Sequence, residues 1–169
     1  LIARRAGVSV GSLYQYFRGK EAIYAAIFDA LVAEMRAFGD GALQTMADPH
    51  VAFATALRRI LDAMVTVHTR DDDLLRAIER ELIQVFPQWR GSKAGDADLV
   101  HALAAILSQR RDCRPVDPLV ASRLVITVCH GVVKWLLHDA PSGTDPEPYL
   151  AQTVAVCCHA AGVFCQEKR

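Results

Sequence analysis

The residues near the start of the chain are equipped for non-covalent recognition of an anionic polymer. Ser9, Ser12, Tyr14, Gln15 and Tyr16 lie close together, with Arg4, Arg5, Arg18 and Lys20 around them. Tyrosine hydroxyls donate to phosphate oxygens, and a serine hydroxyl or a carboxamide pairs with phosphates or base edges. The first twenty residues carry four cations and no carboxylate, while the remainder holds 15 basic against 19 acidic residues. A neutral chain with its positive charge gathered at one end suits a local contact with a phosphate backbone. It argues against a protein that coats nucleic acid over its whole surface.

A second set of reactive side chains is less promising. Cys129-His130 and Cys157-Cys158-His159 invite a metal. Consecutive helical residues point about 100° apart, so at most one or two from each set can converge, and the usual separated zinc-ligand spacings are absent. Redox chemistry at Cys157-Cys158 requires a lowered thiol pKa. The five cysteines are odd in number and include an adjacent pair, unlike a secreted disulfide framework. Reduced thiols and a cytoplasmic location are expected, and no secretory leader is visible. No glycine-rich phosphate loop follows a strand, and neither Gly-x-Ser-x-Gly nor His-Glu-x-x-His occurs. Glu79 and Glu81 fall on different faces of a helix. The expectation is a protein that is not an enzyme, with no catalytic residue, cofactor or metal.

The elements that must position the first group are legible. Leu1 to Ala6 predict a short helix, Gly7 a stop, and Ser9 the cap of a second helix on which Leu13 and Phe17 share a face. Together these make a helix-turn-helix. Ile23, Ile27, Leu31, Met35 and Phe38 give a linking helix over Lys20 to Phe38, which Gly39-Asp40-Gly41 breaks or bends. Asp48-Pro49, Asp117-Pro118 and Asp145-Pro146 each read as a cap with a first-turn proline. Between them, Gly91 to Gly95 reads as a loop, Asp96 or Asp98 as a further cap, and Arg110 to Pro115 as a polar connection.

With 52% apolar and only 7% aromatic residues, alanine, leucine and valine carry the core, which favours helices. The fold class is all-α: a helix-turn-helix head with its linking helix over residues 1–38, and a helical body over 39–169. Leu119 to Leu137 is the most apolar stretch, but it contains Arg123, His130 and Lys134. It therefore reads as a buried helix and not a membrane span. The last helix is apolar or small almost all round, which implies burial on more than one side and so a partner helix.

Ile2-Ala3, Ala6-Gly7-Val8-Ser9, Gly11, Leu13-Tyr14, Tyr16-Phe17 and Lys20-Glu21 resemble the DNA-binding motif of the TetR (tetracycline-repressor-like) family of transcription regulators. The match is ungapped and covers about an eighth of the chain. The resemblance implies that Ser9 to Phe17 is the recognition helix in the major groove. It places Val10, Gly11 and Gln15 against bases, and Ser12, Tyr14, Tyr16 and Lys20 on phosphates. The family has a further helix before this motif, so the head is expected to be N-terminally incomplete.

The resemblance also implies a homodimer through helices Pro118-His138 and Pro146-Cys165. It implies a small-molecule effector held in the body, for which His68, Arg76, Glu79, Phe86, Trp89, His101, Cys129 and His130 are the candidate lining, with Arg123 as a further polar anchor. The expected function is a ligand-responsive repressor, released from a palindromic double-stranded operator by its effector. The alternative is a helical dimer that binds a small molecule without reading a specific operator.

Overall fold

The computed structural model describes residues 2–5, 7–68 and 93–163. Within them the chain forms seven α-helices and no strand: α1 (Ile2–Arg5), α2 (Val10–Tyr16), α3 (Lys20–Ala47), α4 (Phe53–His68), α5 (Lys93–Gln109), α6 (Pro118–His138) and α7 (Glu147–Ala160). The all-α expectation holds. The chain divides into two compact units, one containing Leu1–Phe38 and the other beginning at Gly39.

The second unit is built on helical periodicity. Phe53, Leu57, Leu61 and Met64 face inward from α4, Val100, Leu103 and Leu107 from α5, Val125, Cys129 and Val133 from α6, and Leu150 and Cys157 from α7. These spacings of three, four and seven put each set on one stripe. α6 packs against α4, α5 and α7, and α7 packs also against α4. Burying each large apolar side chain contributes about 1.5–3 kcal/mol. At the α6–α7 contact the Cys129 and Cys157 sulfurs lie 3.9 Å apart. The hydrogen bond to Cys157, together with burial, pushes the Cys129 thiol up.

Several boundaries differ from expectation. The glycines at 39 and 41 do not break the linking helix, since α3 continues to Ala47. A helical glycine costs only about 1 kcal/mol, and continuation brings Met46 to a site where it is 4% exposed. Residues 93–95 are helical, so Asp96 lies in the first turn of α5. α6 is not buried along its whole girth. Ala121, Ser122, Val125, Cys129 and Val133 are buried, whereas Leu119, Val120 and Leu124 are exposed. Over Pro118–Leu137 this helix is long and apolar enough to cross a membrane, by length and composition alone. Its buried stripe is spent on α4, α5 and α7, and it carries Arg123 and Lys134 on its exposed side.

The final helix stops at Ala160, short of the expected Cys165. Gly162 adopts φ +64°, which glycine reaches without a Cβ penalty. Its N–H donates to the His159 carbonyl and that of Val163 to the Cys158 carbonyl, a paired closure of orphan helix-end carbonyls. The backbone of Arg114 passes so close that a Cβ on Gly162 would lie 2.1 Å from the Arg114 carbonyl oxygen.

The three Asp-Pro signals have different outcomes. Asp117 caps α6, accepting from Leu119 and Val120 N–H groups at 2.8 and 3.1 Å. Asp145 accepts from Glu147 N–H at 3.0 Å, and α7 starts there. Asp48 does not cap α4, because its carboxylate takes the His50 N–H and the helix begins only at Phe53. The Phe53 N–H instead donates to Asp112, at 2.8 Å and 59 residues along the chain. The supposed polar connection is thus partly interior. Arg110 and Cys113 are 7% and 2% exposed. Burial pushes the Cys113 thiol up to about 11, with the Asp112 carboxylate adding to it.

Candidate nucleic-acid interface

α1, a turn at Gly7 and α2 form a helix-turn-helix. Gly7 has φ +68°, and the Val8 N–H donates to the Ala3 carbonyl at 3.0 Å, closing the turn. Ser9 caps α2 as its sequence position implies. Its hydroxyl accepts from the Ser12 N–H at 2.9 Å and lies 2.8 Å from the Ser12 hydroxyl. α2 ends where Phe17 turns extended, with the Phe17 N–H donating to the Leu13 carbonyl. Leu13 and Phe17 are half-buried, and Ala3 is buried.

The polar candidates take the other side. Ser9, Gly11, Gln15 and Lys20 are exposed, and Ser12 is half-buried. Val10, Tyr14 and Tyr16 are 61%, 63% and 83% exposed. An aromatic side chain recovers most of its stabilising value only when buried. Two tyrosines and a valine left open on one seven-residue helix are therefore poorly explained by packing. Lys20 opens α3 with its ammonium 4.9 Å from the centre of the Tyr24 ring, a cation–π arrangement that steadies the charge. Arg4 and Arg18 are exposed as well. The arrangement can grip phosphates from two helix starts while α2 offers hydroxyl, amide and apolar groups to a groove.

The body candidates are less convergent. Arg76, Glu79, Phe86 and Trp89 lie outside the described residues, as does the side chain of His68. His101 is exposed and borders an open groove of about 380 Å³ with Val100, Leu119, Val120, Arg123 and Leu124. Cys129 faces Cys157 inside the α6–α7 contact, and His130 is exposed. Neither belongs to the His101 groove. No group of three or more metal-ligating side chains occurs among the described residues.

The Arg110–Asp112 cluster carried no strong signal beforehand beyond an arginine two residues from an aspartate. Arg110 forks onto Asp112 at 2.8 and 2.7 Å. It also donates to the carbonyls of Met46, Asp48 and Val51 at 2.6, 3.1 and 2.6 Å. The Arg110 guanidinium holds the Asp112 carboxyl below the usual carboxylate range.

A helix-turn-helix joined to a body made of helices defines a class of helical proteins with a small polar head. Residues 1–27 match the family described as "Bacterial regulatory proteins, tetR family". Residues 53–159 match "Tetracyclin repressor-like, C-terminal domain". The chain belongs to the TetR family. It is 31% identical over 147 residues to the A-factor receptor protein of Streptomyces griseus, a match covering 84% of this chain and 48% of the relative. The chain thus spans about half the length of that curated relative.

Proposed function

We propose that the protein is a cytoplasmic, dimeric, one-component transcription regulator, not an enzyme, that represses from a palindromic operator and is released by a small-molecule effector. The observation that carries the reading is the Ser9-capped helix α2, whose Val10, Tyr14 and Tyr16 stay exposed beside Gly11, Gln15 and Lys20. Val10, Gly11 and Gln15 read base edges, while Ser12, Tyr14, Tyr16 and Lys20 hold phosphates, with Ser9 fixing the helix start. Family membership and the similarity to a protein named as a receptor support effector control.

Two copies joined through α6 and α7 place recognition helices in successive major grooves about 34 Å apart. An effector in the body favours a packing in which α3 moves and that spacing no longer fits. A nearly complete switch needs about 5.5 kcal/mol of differential binding. The effector site is assigned to the body. The groove bearing His101 and Arg123 supports it better than Cys129, whose sulfur is taken up by Cys157.

Titration of the intact protein with duplex DNA over a range of salt tests the reading. One operator should be held about 10³-fold or more above random DNA, with a steep salt slope. Lys20→Ala should weaken all sequences alike, whereas Gln15→Ala should relax preference at one or two positions. Equal affinity for every duplex would reject operator recognition.

A further inference from the structure

Two sulfurs meet inside the seam between α6 and α7. Cys129 on α6 and Cys157 on α7 are 28 residues apart in the chain, yet their Sγ atoms lie 3.9 Å from each other. Both residues are buried, at 5% and 1% exposure. A cysteine can serve a core as a small apolar side chain, but two in contact acquire a reaction that neither has alone. The other described cysteines are placed differently. Cys113 Sγ lies 3.8 Å from the Asp112 carboxylate, whose charge opposes ionisation of the thiol. Cys158 follows Cys157 on one helix, so the two side chains point about 100° apart. The cysteines adjacent in sequence are therefore not the pair that the fold brings together.

The hydrogen bond between the sulfurs pushes the Cys129 thiol up and draws Cys157 down, so Cys157 ionises first. The thiolate is the nucleophilic form. Hydrogen peroxide, little larger than water, is the oxidant suited to so closed a site. The Cys157 thiolate attacks one peroxide oxygen, the O–O bond breaks, and hydroxide leaves with the proton that Cys157 gave up, as water. Cys157 is then a sulfenic acid. The Cys129 sulfur attacks the Cys157 sulfur, the S–S bond forms and the S–O bond breaks. The departing hydroxide takes the Cys129 proton as a second water. In all, two thiols are oxidised by two electrons and one peroxide is reduced to two waters.

We propose that Cys129 and Cys157 are a modification site: peroxide joins them in a reversible intrachain disulfide that ties α6 to α7 and alters the surface on which two copies pair. A disulfide needs its sulfurs at about 2.05 Å, so a pair now at 3.9 Å must close by about 2 Å. Val128 and Val156 stand directly beside the two cysteines in the chain, and Val132 and Thr153 about one turn away. All four line the open groove between these helices. A gap of about 0.5–1 Å already forfeits a quarter to a half of a van der Waals contact, so a surface matched to its mate in the thiol form fits less well in the disulfide form. Twofold pairing counts that loss in both copies. The consequence for pairing rests on the dimeric-regulator reading, whereas the cross-link does not.

The test treats the intact, reduced protein carrying Cys158→Ser and Cys165→Ser with a modest excess of hydrogen peroxide. Trypsin cuts after Lys134 and so separates Cys129 from Cys157. Mass spectrometry should find the two peptides joined through these residues with the loss of two hydrogens, and a dithiol should release them. Sedimentation of the reduced and oxidised forms should show the dissociation constant of the dimer rising about tenfold on oxidation and returning on reduction. Peroxide should leave dimerisation unchanged in Cys129→Ala or Cys157→Ala, whichever folds, which separates the cross-link from oxidation elsewhere. Thiols that stay reduced in the folded protein overturn the proposal, as does a Cys157 that runs on to sulfinic acid while Cys129 remains a thiol. A cross-link that forms but leaves the dimer's dissociation constant unchanged overturns it as well. If the reduced protein is a monomer throughout, the dimeric reading fails while the joined peptides still judge the disulfide.

Discussion

Gly162 shows how one missing side chain decides a local architecture. Its left-handed φ ends α7, and its bare Cα lets the Arg114 backbone pass. The Arg114 N–H then donates to the Ala161 carbonyl at 3.1 Å, tying the α5–α6 connection to the end of α7. Gly162→Ala would place a methyl 2.1 Å from a backbone carbonyl oxygen that has no flexible end to swing aside. The left-handed conformation adds its own cost of about 1–2 kcal/mol for a residue with a Cβ. The expected loss is about 2–4 kcal/mol, among the larger single-residue effects. It should appear as a lower urea midpoint with an unchanged slope. The same substitution at Gly41, where a Cβ meets nothing within 4 Å, should be neutral or stabilising by up to about 1 kcal/mol, since alanine is the better helix former.

At the scale of elements, the Arg110–Asp112 pair makes a pH prediction. The guanidinium lowers the Asp112 pKa, and the Phe53 N–H lowers it further. The folded-state value therefore lies below the unfolded value of about 3.9. The pair's stabilisation is fully present above that unfolded value and is lost as pH falls through the folded one. Asp112→Asn should cost about 1–2 kcal/mol at pH 7, toward the low end because the carboxylate is 36% exposed. Near pH 2 the two proteins should unfold at similar urea concentrations. Chemical unfolding from pH 7 down to pH 2 measures the convergence, and a constant gap would remove the ion pair from the account. This contact also marks where reading the sequence stops. Ser9 and Asp117 were legible as caps because donor and acceptor lie within three residues. Asp48-Pro49 carries the same local signal as Asp117-Pro118, yet the acceptor for α4 comes from 59 residues away. Nothing local distinguishes the two. Likewise Gly39 and Gly41 read as a break because their cost is local, whereas the burial of Met46 that offsets it is tertiary. The polar residues of the head were legible as a set because a short helix shows its outward side chains directly. Membership of the body's candidate lining depends instead on how several helices pack, and Arg76, Glu79, Phe86 and Trp89 lie outside the described residues.

For the whole molecule, the question is what covers the apolar surface that α6 and α7 leave open. α7 buries only Leu150, Thr153 and Cys157 within its own chain. Tyr149 and Val156 remain 43% and 45% exposed. With Val128, Val132, Pro148, Gln152 and Thr153 they line an open groove of about 380 Å³ between the two helices. The Trp135 and Tyr149 rings meet tilted at 47° with centroids 4.8 Å apart, which braces that edge from within the chain. A twofold pairing of copies through α6 and α7 would set each groove against the same surface of its mate. Every interface side chain then counts twice, since a twofold interface uses one patch from each copy. Val156 is 45% exposed in its own chain, so covering it adds roughly half of the 1.5–3 kcal/mol of a whole valine, about 1 kcal/mol per copy. Val156→Glu forfeits that on both sides and brings two carboxylates toward the axis. The dissociation constant of the dimer should therefore rise by about 10²-fold or more, each 1.4 kcal/mol being tenfold. Sedimentation equilibrium at micromolar concentration should give a dimer for the unaltered protein and a monomer of near-native helicity for the variant. Binding to a palindromic operator should fall in step with the dimer fraction, while contact with an isolated half-site persists. A Val156→Glu protein that stays dimeric at the same concentration would move the interface off this face of α7.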